Sequence, residues 1–403
     1  MKERIIFLAL AAALLLGAFA LAPRLEARDA PEEIRLAVAT DPHYLADELT
    51  DFGECYMRVV TDADGKAMPR ITELMRAFAS EMAREGPDAL IITGDLTFNG
   101  ERLSHERLAE KLGGIEAAGV PVYVIPGNHD LENPAAARFE GGGYELVDSV
   151  TAEEFAEIYS DFGYSEAISR DSRSLSYTAR IAPGLRLLCV DVNASQSAEW
   201  VSEGSLEWIE SELAAARAAG DRVIAASHQN LYMHNPLFLS GYTIANSAQL
   251  EALYAEYGVI ANLSGHIHLQ HTRSERVPEL VTSSLAVSPN QYGLITVTGS
   301  GCAYRVKSVD AGGDFAEWSA GFFHDTAVSQ ALAELGDYDN AAALAEFYAS
   351  ANAKYFAGRP DEIAWDEGII DEWSSRSFFT PMYLESIRAD AEDHTSLSWD
   401  FPD

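Results

Sequence analysis

Cations and thiols are scarce in this chain. Of its 403 residues, 28 are Lys or Arg against 63 Asp or Glu, a formal net charge of −35. A nucleic-acid polymer needs a basic footprint, which this composition does not supply. A small anionic substrate stays admissible, because bound metal ions reverse the local field. The acidity itself reads as a solubilising surface. Three cysteines, Cys55, Cys189 and Cys302, are too few for a disulfide framework and lack zinc-ligand spacing. Cys189 lies in "LRLLCVDV" and reads as a buried strand thiol, whereas Cys55 and Cys302 are free to pair in an oxidising compartment. Internal repeats and low-complexity tracts are also missing. At the N-terminus, Lys2 and Arg4 precede an uncharged, apolar run of 18 residues, Ile5–Ala22. That run has the features of a signal peptide or a single membrane anchor, and Ala18-Phe19-Ala20 suits cleavage. No cysteine follows it at a lipoprotein position. Either outcome places the body of the protein outside the cytoplasm, with membrane contact only through residues 1–30.

Apolar residues make up 48% of the chain, enough for a sizeable core. Short Val/Ile/Leu-rich runs at 34–40, 89–94, 120–126, 185–192, 222–227 and 259–265 read as buried strands. Helical spacing separates many of them, as in "PRITELMRAFASEMAREG", "ERLSHERLAEKLGGIEAAG" and "SLEWIESELAAARAAG", each ending at glycine. Strands alternating with helices predict an α/β architecture. Residues 131–170 read as an insertion, about 279–319 as a further strand-rich stretch, and 325–403 as an acidic helical appendage. The predicted division is therefore 1–30, 31–324 and 325–403.

Chemistry-bearing side chains follow the strands. "TDPHY" gives Asp41 and His43, "GDLTFNG" gives Asp95, and "PGNHD" gives Asn128, His129 and Asp130. "SHQN" gives His228, and "SGHIHLQH" gives His266 and His268. In open α/β sheets ligands bind beyond the carboxyl ends of the strands, so five strand ends are expected to converge on one edge. Carboxylates, an amide oxygen and imidazoles without thiolates suit divalent Mn, Fe or Zn. Asp95 is the natural bridge between two ions, and a pair about 3.5–4 Å apart would clamp a phosphoryl group and acidify a water nucleophile.

The ordered set D-x-H, GD, GNH[D/E], H and GHxH resembles the calcineurin-like metallophosphoesterase superfamily over roughly residues 34 to 310. Within it, the compact GNHD and GHIH blocks and the export signal look most like exported bacterial class III cyclic-nucleotide phosphodiesterases with a helical C-terminal domain. The resemblance implies a four-layer α/β/β/α sandwich. It also implies one metal ion on Asp41, His43 and His268, another on Asn128, His228 and His266, and Asp95 shared. His129 matches the histidine that supports the phosphoryl oxygens and leaving group, with Asp130 expected to orient its ring. Asn99 and His234 are weaker candidates for substrate contact. His271 reads as an ordinary loop residue and His105 as solvated on an exposed helix face. The long segment between Asp41 and Asp95 departs from shorter members and is expected to cap the site, with "DADGK" as a hairpin turn. The expected activity is hydrolysis of a small phosphodiester, 3′,5′- or 2′,3′-cyclic nucleotides among the candidates. A phosphomonoesterase on the same metal core is the alternative, and a non-catalytic surface scaffold a minor one.

Overall fold

Residues 33–194 and 199–401 are described by the computed structural model, so the expected signal peptide or anchor at residues 1–30 lies outside the described residues. The six expected strands occur as Glu33–Ala39, Ala89–Ile92, Val122–Val124, Leu185–Val190, Arg222–Ser227 and Asn262–Ser264. The first three pair in parallel in one sheet and the last three in another, so the chain changes sheets between Val122–Val124 and Leu185–Val190. A parallel pair needs a crossover, and the helices Ile71–Glu85, Arg102–Ala117, Glu203–Ala219 and Ser247–Tyr257 provide it.

The first sheet runs in the order Ser396–Asp400, Gly301–Ser308, Gln291–Thr298, Glu33–Ala39, Ala89–Ile92, Val122–Val124. The second runs His271–Arg273, Glu279–Val281, Asn262–Ser264, Arg222–Ser227, Leu185–Val190, Tyr177–Ala182, Ser169–Arg170. The five loops that carry the candidate ligands therefore come from two sheets rather than from one edge, three from the first and two from the second. Strand pleating shows how the sheets stack. Leu187, Cys189, Ile224 and Ala226 join the core shared with Leu36 and Leu90, while Leu188, Val190, Val223 and Ala225 pack outward on Ile209, Leu213, Leu250 and Tyr254. The second sheet is thus buried on both faces, which is why its strands read as continuous apolar runs. Ile71, Leu74, Phe78, Leu108 and Leu112 bring the first two helices onto the first sheet, completing α/β/β/α layers. Each fully buried side chain of this size contributes about 1.5–3 kcal/mol.

Several expectations are corrected. The strand-rich stretch ends before 319, because helix Phe315–Leu335 has already begun and it runs through the expected boundary at 324/325. Helices Ala341–Phe356, Glu367–Ser374 and Phe379–Ala389 follow, but the chain then returns as strand Ser396–Asp400, antiparallel to Gly301–Ser308. Its alternating "SLSWD" lets Trp399 donate from Nε1 to the Ile260 carbonyl (3.1 Å) on the other sheet. The helical region packs Leu344, Tyr355, Trp373 and Leu384 against Ile267, Leu269 and Val281, directly behind the GHIH loop. Within 131–170, the Gly-rich segment is a hairpin, Ala137–Glu140 with Gly143–Leu146. "DADGK" is no hairpin turn: it is the exit from helix Glu54–Asp62. All three thiols are free and buried, Cys55 on that helix and Cys302 within a sheet strand, so the two do not pair.

The loop after strand Asn262–Ser264 passes close to the end of the first strand at Gly265. A Cβ there would lie 1.9 Å from Thr40 Oγ1 and 2.5 Å from Asp41 Oδ2, so only glycine admits this approach. Gly265→Ala is expected to destabilise the fold by about 1–3 kcal/mol through overpacking. Gly299→Ala, with open space around the added carbon, is the control. Thermal unfolding of both variants checks this, and a Gly265→Ala midpoint matching wild type would contradict the tight joint.

Candidate metal centre

Asp41, His43, Asp95, His266 and His268 all sit just beyond strand ends with φ between 44° and 70°. Left-handed backbone is disfavoured for residues with a Cβ and persists where surrounding contacts over-determine it. Those contacts are visible. Asp41 N donates to the Gly94 carbonyl and His43 N to the Asp95 carbonyl, both at 3.0 Å, zipping the first two loops together. Gly94 has φ 96°, and a Cβ there would fall 2.7 Å from His228 Nδ1.

Two overlapping groups result. Asp41, His43, Asp95 and His268 offer ligand atoms within 4.8 Å of one another, as do Asp95, His228 and His266. Asp95 belongs to both. In the first group the Nε2 atoms of His43 and His268 are 3.0 Å apart, and Asp41 Oδ1 lies 3.4 Å from His268 Nε2 and 3.8 Å from His43 Nε2. In the second, His228 Nε2 is 3.3 Å from Asp95 Oδ2, 3.0 Å from Asn128 Oδ1 and 3.1 Å from His266 Nδ1. Asp41, His43, Asp95 and His228 form a buried floor, whereas His129, His266 and His268 are half-buried and Asn128 is exposed. The centre is therefore a pit open on one side.

Hydrogen bonds at the far side of each ring set which nitrogen faces the pit. His228 Nδ1 lies 2.8 Å from the Thr93 carbonyl and His266 Nε2 2.8 Å from the Gly241 carbonyl, so each donates outward and presents its other lone pair inward. His268 Nδ1 is held by Asp64 Oδ2 at 2.5 Å. Thr40 Oγ1 (2.6 Å) and His266 N (3.0 Å) both donate to Asp41 Oδ2, while the buried Oδ1 has no hydrogen-bond partner among the described residues. An orphaned carboxylate oxygen among converging lone pairs fits a cation.

The electrostatics agree. Burial opposes charge on His228 and His268, yet Asp95 and Asp41 push His228 up to about 9, and Asp64 with Asp41 pushes His268 up to about 9. Burial likewise opposes charge on Asp41 and Asp95, but His268 and His228 respectively hold them below the usual carboxylate range. The pit attracts positive charge, and a divalent ion would enter by displacing protons. The donor set of carboxylates, imidazoles and one amide suits such ions.

His129 stands at the rim, its ring centroid 5.1 Å from that of His43. Its Nδ1 is 3.0 Å from both the Phe98 carbonyl and Asn99 Oδ1, which leaves Nε2 as the available atom. Asn99 thus contacts the His129 ring. Asp130 does not. Its carboxylate accepts from the backbone amides of Leu96 (3.0 Å), Thr97 (2.9 Å) and Gly127 (2.8 Å), fastening the GDLT loop to the PGNH loop. Burial and the nearby Asp95 charge push Asp130 up to about 7.

His234 lies outside the pit. It is buried, 3.0 Å from Glu279 Oε2 through Nε2 and 2.8 Å from His271 Nδ1 through Nδ1. Nor is His271 an ordinary loop residue: it begins a strand and bonds Asp390 Oδ2 at 2.8 Å, and Asp390 also bonds His394 at 2.9 Å. His271, Asp390 and His394 are near enough to share an ion, but the two rings stack at 3.7 Å and 22°. Near-parallel rings cannot both aim in-plane lone pairs at one ion, so the cluster reads as a polar clasp between the helical region and the second sheet.

Sequence reasoning missed Asp64, the ion pair of its Oδ1 with Lys66 (2.8 Å), and the Thr40 hydroxyl. "DADGK" carried the only local signal for Asp64, and it was read as a turn. His105 is also corrected: it is fully buried, bonded to Tyr159 Oη (2.9 Å) and the Asp130 carbonyl (3.0 Å). His105, Leu108, Leu112 and Ile115 form one buried helical stripe, the pattern that identifies it.

The sequence model of the calcineurin-like phosphoesterase family matches residues 34–270. A protein of Pseudoalteromonas sp. (strain SM9913), named a probable cyclic nucleotide phosphodiesterase, is 25% identical over 293 residues, covering 69% of this chain and 89% of that one. A UDP-2,3-diacylglucosamine hydrolase of Xanthomonas campestris pv. campestris (strain B100) is 26% identical over 213 residues, 50% of this chain and 77% of that one. Among solved structures, a dimetal phosphatase from Danio rerio is similar with a TM-score of 0.48 and 13% identity, covering 68% of this chain and 96% of that one.

Burial pushes His105 down to about 3 from an ordinary 6.5. The unfolded chain takes up this proton first, so the contribution is present above about 6.5 and lost as pH falls toward 3. The thermal midpoint is expected to drop across that window, and His105→Gln to drop less steeply. Parallel slopes would contradict the buried neutral imidazole.

Proposed function

Because the chain belongs to the calcineurin-like phosphoesterase family, and is therefore a metal-dependent phosphoesterase, we propose that it is an exported phosphodiesterase holding two divalent ions and acting on small phosphodiesters, cyclic nucleotides among them. The observation that carries this reading is the sharing of Asp95 by two ligand groups. Divalent ions held there would supply Lewis acidity toward a phosphoryl group and a lowered pKa for water. The chain does the rest. Asp41, His43 and His268 hold one side of the pit and Asn128, His228 and His266 the other. Asp130 locks the loop carrying Asn128 to the loop carrying Asp95. His129, fixed at Nδ1 by Phe98 and Asn99, delivers or stabilises a proton at Nε2 as the leaving oxygen departs.

Preference for diesters draws support from two sources. Relatives named probable cyclic nucleotide phosphodiesterases match the chain. In addition Lys66, the cation beside His43 and His268, is already paired with Asp64. A singly charged diester asks less of such a site than a dianionic monoester. Export rests on Lys2, Arg4 and the apolar run Ile5–Ala22. Among the described residues no helix is long and apolar enough to cross a membrane.

Manganese-loaded protein is expected to hydrolyse bis(p-nitrophenyl) phosphate and cyclic AMP faster than p-nitrophenyl phosphate and 5′-nucleotides. Asp95→Asn should abolish activity together with metal retention, and His129→Ala should lower kcat by about 10²–10⁴ with metal retained. A strong preference for monoesters would replace the diester reading with the phosphomonoesterase one. Metal-free, inactive wild-type protein would favour a scaffold.

A further inference from the structure

A cavity of about 210 Å³ lies between the insertion after Asp41 and the C-terminal helices. Asp64, Phe238, Tyr348, Asn352, Phe379 and Gln330 are among its lining residues, and its wall is largely aromatic. It adjoins the metal centre on two sides. Asp64 lines the cavity and also grips His268. The Tyr242 ring lies 5.4 Å from that of His266 and 4.9 Å from that of Phe238. One side chain therefore separates the cavity from each histidine of the GHIH loop.

The lining has a defined polarity. Asn352 Oδ1 accepts from Tyr383 Oη at 2.6 Å, and among the described residues its Nδ2 has no partner. Gln330 Nε2 donates to the carbonyls of Thr61 (3.3 Å) and Ala63 (2.6 Å), which directs its Oε1 elsewhere as an acceptor. An aromatic wall that offers donors and acceptors, Asn352 Nδ2 and Gln330 Oε1 among them, matches a flat heteroaromatic ring bearing complementary groups. A hydrocarbon chain would desolvate those amides without replacing their hydrogen bonds. Phe379, 59% exposed, stacks on Tyr383 with an interplanar angle of 7° and stands open to solvent at the cavity.

Building on the phosphodiesterase reading, we propose that this cavity is the base subsite, receiving the purine of a nucleotide whose phosphodiester lies at Asp95. The helical C-terminal region then sets substrate class, while the two sheets supply the chemistry. Phe379 and Tyr348 contribute ring faces, Asn352 and Gln330 the polar contacts, and Asp64 links base recognition to the orientation of His268.

Binding and turnover test this separately. In saturation-transfer NMR on the metal-loaded full chain, the adenine protons of adenosine are expected to receive saturation from wild type and to lose it in Phe379→Ala and in Tyr348→Ala. Phe379 is exposed enough for its truncation to leave the fold intact. Both variants should raise KM for cyclic AMP roughly tenfold more than KM for cyclic glycerophosphate, which has no base. If wild type hydrolyses cyclic AMP but the variants shift both KM values equally, the subsite assignment fails and the phosphodiesterase reading stands. Should adenosine bind in a Phe379-dependent way without cyclic AMP hydrolysis, the subsite stands and that reading fails. Stronger saturation of the alkyl chain of n-octyl glucoside than of adenosine would overturn the base assignment in favour of an acyl group.

Discussion

The carboxylate of Asp95 is the point at which the two halves of this fold must agree. It follows a strand of the first sheet, yet its Oδ2 faces His228, which follows a strand of the second. Its Oδ1 accepts the His129 amide at 2.8 Å, tying the same side chain to a third loop. A buried anion in such a place is stable only among compensating donors and charges. Protonated imidazoles provide them, His228 foremost, and a divalent ion would provide them better. The left-handed residues at the strand ends, the glycines that let loops pass within contact distance, and the Asp130 clamp all hold ligands around that one carboxylate.

Layering serves the same purpose. Two sheets buried on each other, with helices outside, fix the relative height of five strand ends more firmly than loops alone could. The C-terminal region reaches this frame from behind, through the apolar contacts of Ile267 and Leu269 and the His271–Asp390–His394 clasp. Strand Ser396–Asp400 then returns the chain to the first sheet. Helices that shape the neighbouring cavity are thereby anchored to the loop that carries His266 and His268.

Much of the fold and of the cluster of candidate ligands was legible in the sequence because both are local. A run such as "ALIITG" followed at once by Asp95 states strand, turn and candidate ligand within a few residues. What was not legible depended on distant partners. Asp64 acquires its place only because the chain leaving helix Glu54–Asp62 meets His268, and no spacing in "DADGK" encodes that. His234 and His271 differ little by sequence from the histidines of the pit, and only their burial against Glu279 and Asp390 separates them from it. Asp130 follows His129 directly, which suggested a ring contact, but its side chain turns toward backbone amides of a loop more than thirty residues earlier. His105 and the "SLSWD" strand were within reach, since the helical stripe and the two-residue alternation were both present.

Electron paramagnetic resonance of the purified protein titrated with Mn²⁺ tests the shared carboxylate most directly. The account predicts an exchange-coupled two-ion spectrum in wild type, its loss in Asp95→Ala, and a single uncoupled ion in His228→Ala. Uncoupled ions in wild type, or coupling that survives Asp95→Ala, would contradict it.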